Sequence, residues 1–191
     1  GCSTGEEVWT LKVLTSVNVA NHHHGGDSAG GGGGGQPAWE FVGTDVHPPA
    51  VDKAKDCIYG SIASLKLMPE DIRKAAFRRV VDGEPGFTSS GTVYTLTDGL
   101  KQGVSFEVQD IRQQRPTGSF HLILARHSIF MYFDMPLRLK MLKYMLAILA
   151  PGGYLIVGMN DRLPQEASAM GLHAAQGANA GGIYQYGSPA I

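Results

Sequence analysis

The sequence predicts an α/β fold in which a mainly parallel sheet is covered by helices on both faces. The segment VSFEVQD alternates apolar and polar residues as a half-buried strand does, and FHLILAR is a short apolar run of strand length. Segments with apolar residues at helical spacing lie before and after these runs. Strands that alternate with helices along a chain form parallel sheets, because each helix provides the crossover between two strands.

The composition is that of one globular domain. The 191 residues are 43% hydrophobic and 17% charged, which is enough apolar material for a single sizeable core. The net charge of −1 predicts no nucleic-acid partner, and no apolar run approaches the ~20 residues that cross a bilayer, so we expect no membrane insertion. Cys2 and Cys57 have no metal-binding spacing and favour a reducing compartment, so we expect a cytoplasmic monomer.

The chain begins with a predicted helix, over residues 6–17, that has Val8, Leu11 and Leu14 on one face. Residues 18–38 follow, are rich in glycine and histidine, and have almost nothing to bury, which predicts a disordered insertion. The histidines at 22–24 are either metal ligands or solvated residues of this insertion, and the second interpretation is favoured. We therefore expect no metal site.

The next two elements are a strand and a helix. The strand WEFVGTDV carries Asp45 near its end, and the prolines of HPP suit the first turn of the helix that follows. This helix places Val51, Ala54 and Ile58 on one face.

The rest of the chain continues the alternation of helices and strands. Residues 69–80 are predicted as a helix, and 83–103 as a turn-rich segment with one strand, TVYTL. After VSFEVQD and FHLILAR, residues 136–149 form an amphipathic helix. APGGYLIVG then supplies a turn and a strand, and GGIYQY is predicted as an edge strand.

Polar residues end three of the predicted strands: Asp45, Asp110 and Arg126. Ligands of open α/β sheets bind outside the carboxyl ends of the strands, and the glycine-rich turn of residues 1–5 belongs to the same edge. Together these features predict a nucleoside pocket.

Each position has a chemical reason to take part in that pocket. Gly1 and Gly5 let the backbone approach a ligand, and the Asp45 carboxylate can accept hydrogen bonds from two ribose hydroxyls. Asp110 can accept from an adenine amino group while Ile111 covers the ring. The alternative is that Asp45 and Asp110 are ordinary turn or helix-start residues.

Five segments, in this order and approximate spacing, resemble the CheR-type chemotaxis receptor methyltransferases: GCSTGEE, VGTDV, VSFEVQDI, FHLILARHSIFMYFD and LAPGGYLIVG. The resemblance runs from Gly1 to GGIYQY and excludes the glycine-rich insertion. It implies a Rossmann-like class I S-adenosylmethionine-dependent methyltransferase fold, with residues 83–103 as the remnant of a small inserted β subdomain. It also implies that the domain forms methyl esters on accessible glutamates of a receptor-like protein substrate.

The resemblance also implies roles for individual residues. Glu7, the second glutamate of GEE, contacts the cofactor, as does Asp45. The pair Asp110 and Ile111 and the pair His127 and Ser128 contribute further cofactor contacts.

Two residues are assigned to the transfer step. Tyr132, of the YFD motif, lines the methyl-transfer site by resemblance. Arg126 either steers an acidic substrate or pairs with a neighbouring carboxylate, and the sequence favours neither interpretation. His127 stands where the family usually has asparagine.

The family has a helical domain, an N-x-T-x-F-F-R motif and a first sheet strand before the position of Gly1. We therefore expect the chain to begin inside the cofactor loop, with the first strand missing, and by itself to bind cofactor poorly and transfer little methyl. Two other functions stay open: a degenerate S-adenosylmethionine-binding regulatory module, and a methyltransferase of the same fold that acts on a small molecule.

Overall fold

The computed structural model describes residues 1–22, 39–60, 68–86, 92–175 and 182–187, which fall into two units, Gly1–Gln109 and Asp110–Ile191. Each unit has a hydrophobic cluster of its own. In these described ranges no helix has the length and apolar character needed to cross a membrane.

The first unit contains two small sheets and three helices. Its elements are α1 (Glu6–His22), β1 (Phe41–Asp45), α2 (Pro48–Asp56), β2 (Ile58–Gly60), α3 (Glu70–Ala76), β3 (Phe77–Arg79), β4 (Val93–Leu96) and β5 (Val104–Val108). Strands β1 and β5 pair in parallel, while β4 lies between β2 and β3 and is antiparallel to both.

The core of this unit lies between α1, α2 and β5. The Trp9 ring packs 5.4 Å from the ring of Phe106, and the Trp9 indole N–H donates to the Ala54 carbonyl at 3.0 Å. Val51 and Ala54 are fully buried on one face of α2, as predicted. A hydrogen bond satisfies the one polar atom of Trp9, so the large ring can be buried at no polar cost.

Three predicted boundaries in this unit are wrong. Helix α1 continues to His22, because a helix propagates on backbone hydrogen bonds and needs no apolar face to do so; residues 23–38 of the predicted insertion lie outside the described residues. Ile58 belongs to β2, since Cys57 ends α2 in the left-handed conformation. The predicted helix 69–80 stops at Ala76, and β3 follows because Phe77 pairs with Leu96 of β4.

The predicted strand in TVYTL is confirmed as β4. Its two partners, β2 and β3, lie outside residues 83–103, so the antiparallel sheet is larger than the sequence predicted.

The second unit is built on one mixed sheet of strand order β6-β7-β9-β8. Its elements are β6 (Phe120–Ala125), α4 (Ile129–Tyr132), α5 (Met135–Leu146), β7 (Leu149–Val157), β8 (Leu172–Ala174) and β9 (Ile183–Tyr186). Strands β6 and β7 are parallel, whereas β9 is antiparallel to both neighbours.

Helix α5 covers this sheet with one apolar face. The Asp134 carboxylate accepts from the Leu137 backbone N–H at 3.0 Å and caps the helix, and Pro136 occupies its first turn. Met141, Leu142, Met145 and Leu146 are buried at the spacing of one helix face.

Two predictions about this unit are wrong. The helix predicted over 136–149 ends at Leu146, because Leu149 already pairs with Phe120 as the first residue of β7. GGIYQY contains β9, which is an inner strand between β7 and β8, not an edge strand. The α/β class itself is confirmed by the parallel pairs β1–β5 and β6–β7, each combined with helices.

Candidate functional site

In the first unit the turn of residues 1–5 lies against the carboxyl end of β1, as predicted. The Cys2 backbone N–H donates to the Thr44 carbonyl at 2.7 Å, and the Ser3 backbone N–H donates to Asp45 Oδ2 at 2.8 Å. Asp45 Oδ1 accepts from the His47 backbone N–H at 3.0 Å. Asp45 therefore joins the turn, the strand end and the start of α2.

The Asp45 carboxylate is half-buried and ionised. Burial opposes its charge, but the hydrogen bonds from the His47 and Ser3 backbone N–H groups outweigh burial and lower the pKa of Asp45. Each oxygen accepts one of these two hydrogen bonds, and the Val46 backbone N–H is a third donor to the carboxylate, whose two oxygens together can accept about four. The group can therefore hold the turn and bind hydroxyl donors at the same time.

Both predicted glycines of the turn are in close contact with other residues. A Cβ on Gly1 would lie 2.5 Å from Asp45 Oδ2, and one on Gly5 would lie 2.8 Å from the Cβ of Ala54. Gly5 also has a φ of 85°, which favours glycine. Glu7 lies half-buried in the first turn of α1. Its cofactor contact stays a prediction.

In the second unit, Asp110 is fully engaged by its neighbours. Its Oδ1 accepts from the backbone N–H and the Nε of Arg112, and its Oδ2 accepts from Arg112 Nη2 and Gln113 Nε2, at 2.8–3.0 Å. The hydrogen bonds from the Arg112 side chain lower the pKa of Asp110 to about 2. These four bonds use the acceptor positions of the carboxylate, which favours the interpretation of Asp110 as a turn residue. Ile111 packs against the hydrophobic cluster of this unit.

The loop after β6 carries the other predicted site residues. Arg126 and His127 are exposed, and His127 has a φ of 49°. Ser128 is half-buried, and its Oγ is inaccessible and without a hydrogen-bond partner among the described residues. Tyr132 ends the short helix α4 with 74% of its surface exposed. An exposed phenol is available to a macromolecular substrate.

Asp161 is a site residue that the sequence prediction missed. It lies in the loop after β7, is only 8% exposed, and its Oδ2 accepts from the backbone N–H groups of His127 at 3.0 Å and Gly158 at 2.7 Å. The loops after the parallel strands β6 and β7 are therefore joined by one buried carboxylate. The signal was available, since Asp161 follows the strand of APGGYLIVG just as Asp45 and Asp110 follow theirs.

Arg138 is a second residue that the sequence prediction missed. It lies on α5, and its guanidinium donates to three backbone carbonyls: Nε to Phe133 at 2.6 Å, Nη2 to Met131 at 3.2 Å and Nη1 to Arg162 at 3.3 Å. Two of these carbonyls flank Tyr132. Only the tertiary structure reveals this, since the sequence offers an arginine on a helix and nothing more.

The described part of the chain contains no group of histidine, cysteine and carboxylate side chains able to hold a metal ion. A cavity of about 220 Å³ lies on the antiparallel sheet of the first unit, beside Asp56, Arg78, Glu84 and Lys101. It includes none of the predicted site residues.

A family model described as the CheR methyltransferase SAM-binding domain matches residues 1–177. The chain is similar to a chemotaxis protein methyltransferase of Vibrio anguillarum, with 28% identity over 128 residues that cover 66% of this chain and 43% of the relative. A putative methyltransferase, Cher3, of Pseudomonas putida is 25% identical over 161 residues, which cover 84% of this chain and 52% of the relative. The chain thus spans about half the length of the curated relatives it matches.

Two solved structures overlap partly with the chain. The N-methyltransferase NodS of Bradyrhizobium japonicum has a TM-score of 0.43 and 15% identity, over 78% of this chain and 74% of that one. A SAM-dependent methyltransferase of Methanosarcina mazei has a TM-score of 0.42 and 15% identity, over 98% of this chain and 70% of that one.

Proposed function

The chain belongs to the CheR methyltransferase family, whose domain binds S-adenosylmethionine in a Rossmann-like fold, and we propose that it forms methyl esters on glutamates of a protein substrate. The family match over residues 1–177 carries this proposal, and several curated relatives are named chemotaxis protein methyltransferases. The matched range extends across both units, so we propose that both belong to one catalytic domain. We further propose that the domain is a cytoplasmic monomer and that its substrate is a receptor-like protein.

In the first unit, the residues fit the nucleoside part of the cofactor. Asp45 is ionised, half-buried and keeps acceptor capacity beyond its bonds to the backbone, as a group that binds a ribose hydroxyl requires. We propose that Gly1, next to Asp45 Oδ2, lets the backbone approach the cofactor, and that Gly5 shapes the turn by packing against Ala54 and Phe106. Glu7 is the third contact we propose here, on the basis of the family motif.

In the second unit we propose that Ser128, His127 and Ile111 contact the cofactor. The unpartnered, buried Oγ of Ser128 supports this proposal, since a buried hydroxyl is stabilised by a ligand that completes its hydrogen bonding. Asp110 can join them only if Arg112 releases its carboxylate. Replacing Arg112 with glutamine therefore tests whether Asp110 takes part.

Methyl transfer to a glutamate carboxylate needs little acid–base catalysis. Bound S-adenosylmethionine supplies an electrophilic methyl group, and a glutamate carboxylate of ordinary pKa is already ionised at neutral pH. The task of the protein is therefore positioning and exclusion of water. We propose that the exposed Tyr132 hydroxyl orients the incoming carboxylate, and that Arg126 attracts the acidic segment around it.

The test is methyl transfer from radiolabelled S-adenosylmethionine by purified residues 1–191 to the cytoplasmic fragment of a chemotaxis receptor. Because the chain by itself is expected to transfer little methyl, we expect a low level of protein-bound label that mild base releases as methanol. This label should fall further in Tyr132→Phe at unchanged cofactor affinity. Label that resists base, or label found only in small molecules, would overturn the protein-glutamate assignment.

A degenerate binding module is the second candidate function. His127 supports it, because an imidazole stands where the family usually has asparagine and has different hydrogen-bond geometry. Calorimetric binding of S-adenosylhomocysteine without transfer to any receptor fragment, restored by His127→Asn, would favour this candidate.

A further inference from the structure

Residues 127–133, called the 127–133 loop from here on, include the short helix α4, carry three of the proposed site residues and are held at both ends. From its hydrogen bonds we propose that Asp161 and Arg138 are positioning residues. Asp161 would preorganise the cofactor end of the loop, at His127 and Ser128, and Arg138 its substrate end, at Tyr132. The inference rests on the proposed function for the roles of those three residues.

The first end of the loop depends on Asp161. His127 has a φ of 49°, a conformation that a non-glycine residue keeps only when its surroundings impose it. The hydrogen bond from its backbone N–H to the buried Asp161 Oδ2, at 3.0 Å, supplies that constraint. Because the same oxygen accepts from Gly158 at 2.7 Å, the loop is attached to the end of β7 and not merely to another loop residue.

The space beside Gly158 reinforces this attachment. A Cβ at Gly158 would lie 2.6 Å from the His127 ring and 3.0 Å from Asp161 Oδ2. The glycine therefore lets the imidazole approach the backbone of the β7 loop. The backbone hydrogen bond and the ring contact of His127 together determine its position, directly before Ser128.

The second end of the loop depends on Arg138. Its three donors reach the carbonyls of Met131 and Phe133, on either side of Tyr132, and that of Arg162 in the loop after β7. The Arg162 backbone N–H in turn donates to the Phe130 carbonyl at 3.2 Å. A planar guanidinium can serve three carbonyls at once in fixed directions, whereas a lysine ammonium on a flexible stem cannot hold that geometry.

Tyr132 needs such support because its own ring has little. With 74% of its surface exposed, the side chain is not positioned by packing. Its backbone is held instead, by Arg138 and by the cap of α5 at Asp134. The two ends of the loop thus have separate supports, and separate supports predict separable effects.

Amide hydrogen exchange tests this without any assay of activity. In Asp161→Ala we expect the His127 and Gly158 amides to exchange at least tenfold faster, with Tyr132 and Phe133 unchanged. In Arg138→Gln we expect the reverse, because the Tyr132 and Phe133 amides, which donate to Ser128 and Ile129, lie in the turn whose Met131 and Phe133 carbonyls Arg138 holds. Asp161→Asn should restore slow exchange, since an amide oxygen still accepts from both N–H groups, and it serves if the alanine variant does not fold.

Matched controls are available in the same unit. Glu166→Ala removes an exposed carboxylate from the segment after β7, and Lys143→Gln removes an exposed cation from α5, and neither should change exchange in the loop. Equal acceleration of exchange at both ends of the loop, in Asp161→Ala or in Arg138→Gln, would overturn the proposal. No acceleration in either of these two variants would overturn it as well.

Ligand binding and transfer then test the division of roles. We expect Asp161→Ala to raise the Kd for S-adenosylhomocysteine on the order of tenfold, and Arg138→Lys to lower kcat about tenfold with that Kd unchanged. If Asp161→Ala and Arg138→Lys change the same one of these two parameters by the same factor, the proposed division of roles is wrong. If the unaltered chain transfers no methyl group, the proposed function fails, while the exchange result still decides how the loop is held.

Discussion

Asp45 in the first unit and Asp161 in the second perform the same structural task by different means. Each carboxylate accepts two backbone N–H groups near the carboxyl end of a parallel strand. Asp45 is half-buried and uses one oxygen for each donor, whereas Asp161 is 8% exposed and uses one oxygen for both. The second oxygen of Asp161 is inaccessible and without a partner among the described residues.

This difference indicates that Asp45 can bind a ligand, whereas Asp161 holds the backbone in place. Asp45 keeps part of its acceptor capacity at a half-exposed location, so it can hold its turn while it binds a hydroxyl. Asp161 has its carboxyl group inside the protein, where losing the acceptor would leave two N–H groups unpaired. We therefore expect Asp45 to matter more for affinity and Asp161 more for stability.

The largest effect is expected from the turn that Asp45 holds. Gly5→Ala adds a Cβ 2.8 Å from Ala54 Cβ and 3.1 Å from Phe106, at a φ of 85°, and should lower the free energy of unfolding by about 3 kcal/mol. Gly83 has the same φ of 85° with nothing within 4 Å, so Gly83→Ala should cost only about 1 kcal/mol. Urea denaturation measures both, and equal losses would mean that the turn is not packed on the core as described.

The direct comparison of the two carboxylates comes next. Asp161→Ala should lower the free energy of unfolding by about 2.5 kcal/mol, because it leaves buried N–H groups without an acceptor. Asp45→Ala should cost about 1 kcal/mol, because water can reach the donors it releases. A larger loss for Asp45 than for Asp161, in the same denaturation experiment, would reverse our interpretation of the pair.

For cofactor affinity we expect the opposite order, with a larger loss in Asp45→Ala than in Asp161→Ala. Asp45→Ala is expected to weaken S-adenosylmethionine binding by about 2 kcal/mol, the value of hydrogen bonds to a charged acceptor, or roughly 30-fold in Kd. Asp45→Asn keeps an acceptor for only one of Ser3 and His47 and removes the charge, so it should weaken binding less than Asp45→Ala does. Calorimetric affinity that does not change in a folded Asp45→Ala protein would remove Asp45 from the site.

The smallest effect concerns Asp110, whose carboxylate is saturated by Arg112 and Gln113. Because its pKa in the folded chain is about 2, below the roughly 3.9 of an unfolded aspartate, its contribution to stability is present above about pH 4. That contribution disappears as the pH falls towards 2. A carboxyl NMR titration should show Arg112→Gln returning the pKa towards the ordinary value, and no shift would show that Arg112 is not its cause.

Elements with a local signal were predictable. The start of α1 after a glycine turn, the proline-led start of α2 and the alternating strand β5 match the sequence prediction, because capping, proline and period-2 alternation act over a few residues. The placement of Asp45 at the end of β1 follows from the same local rules.

Elements without a local signal could not be predicted from the sequence. Residues 77–79 continue the helical spacing of α3, yet they form a strand because β4 pairs with them: Phe77 with Leu96, and Arg79 with Tyr94. Strand β9 is internal only because β8 pairs on its far side, and β8 has three residues and no clear pattern.

The sequence by itself determined the alternation of strands and helices, the family and the polar residues that follow the strands, since these depend on residue type and short spacing. Only the tertiary structure decided which carboxylates retain acceptor capacity. Asp45 ends a strand, and Asp110 and Asp161 follow strands. Asp110 is saturated by its near neighbours Arg112 and Gln113, whereas one donor to each of the other two comes from far along the chain: Ser3 to Asp45 across 42 residues, and His127 to Asp161 across 34. For Asp45 and Asp161 the hydrogen bonding depends on such distant groups, and no short pattern contains them.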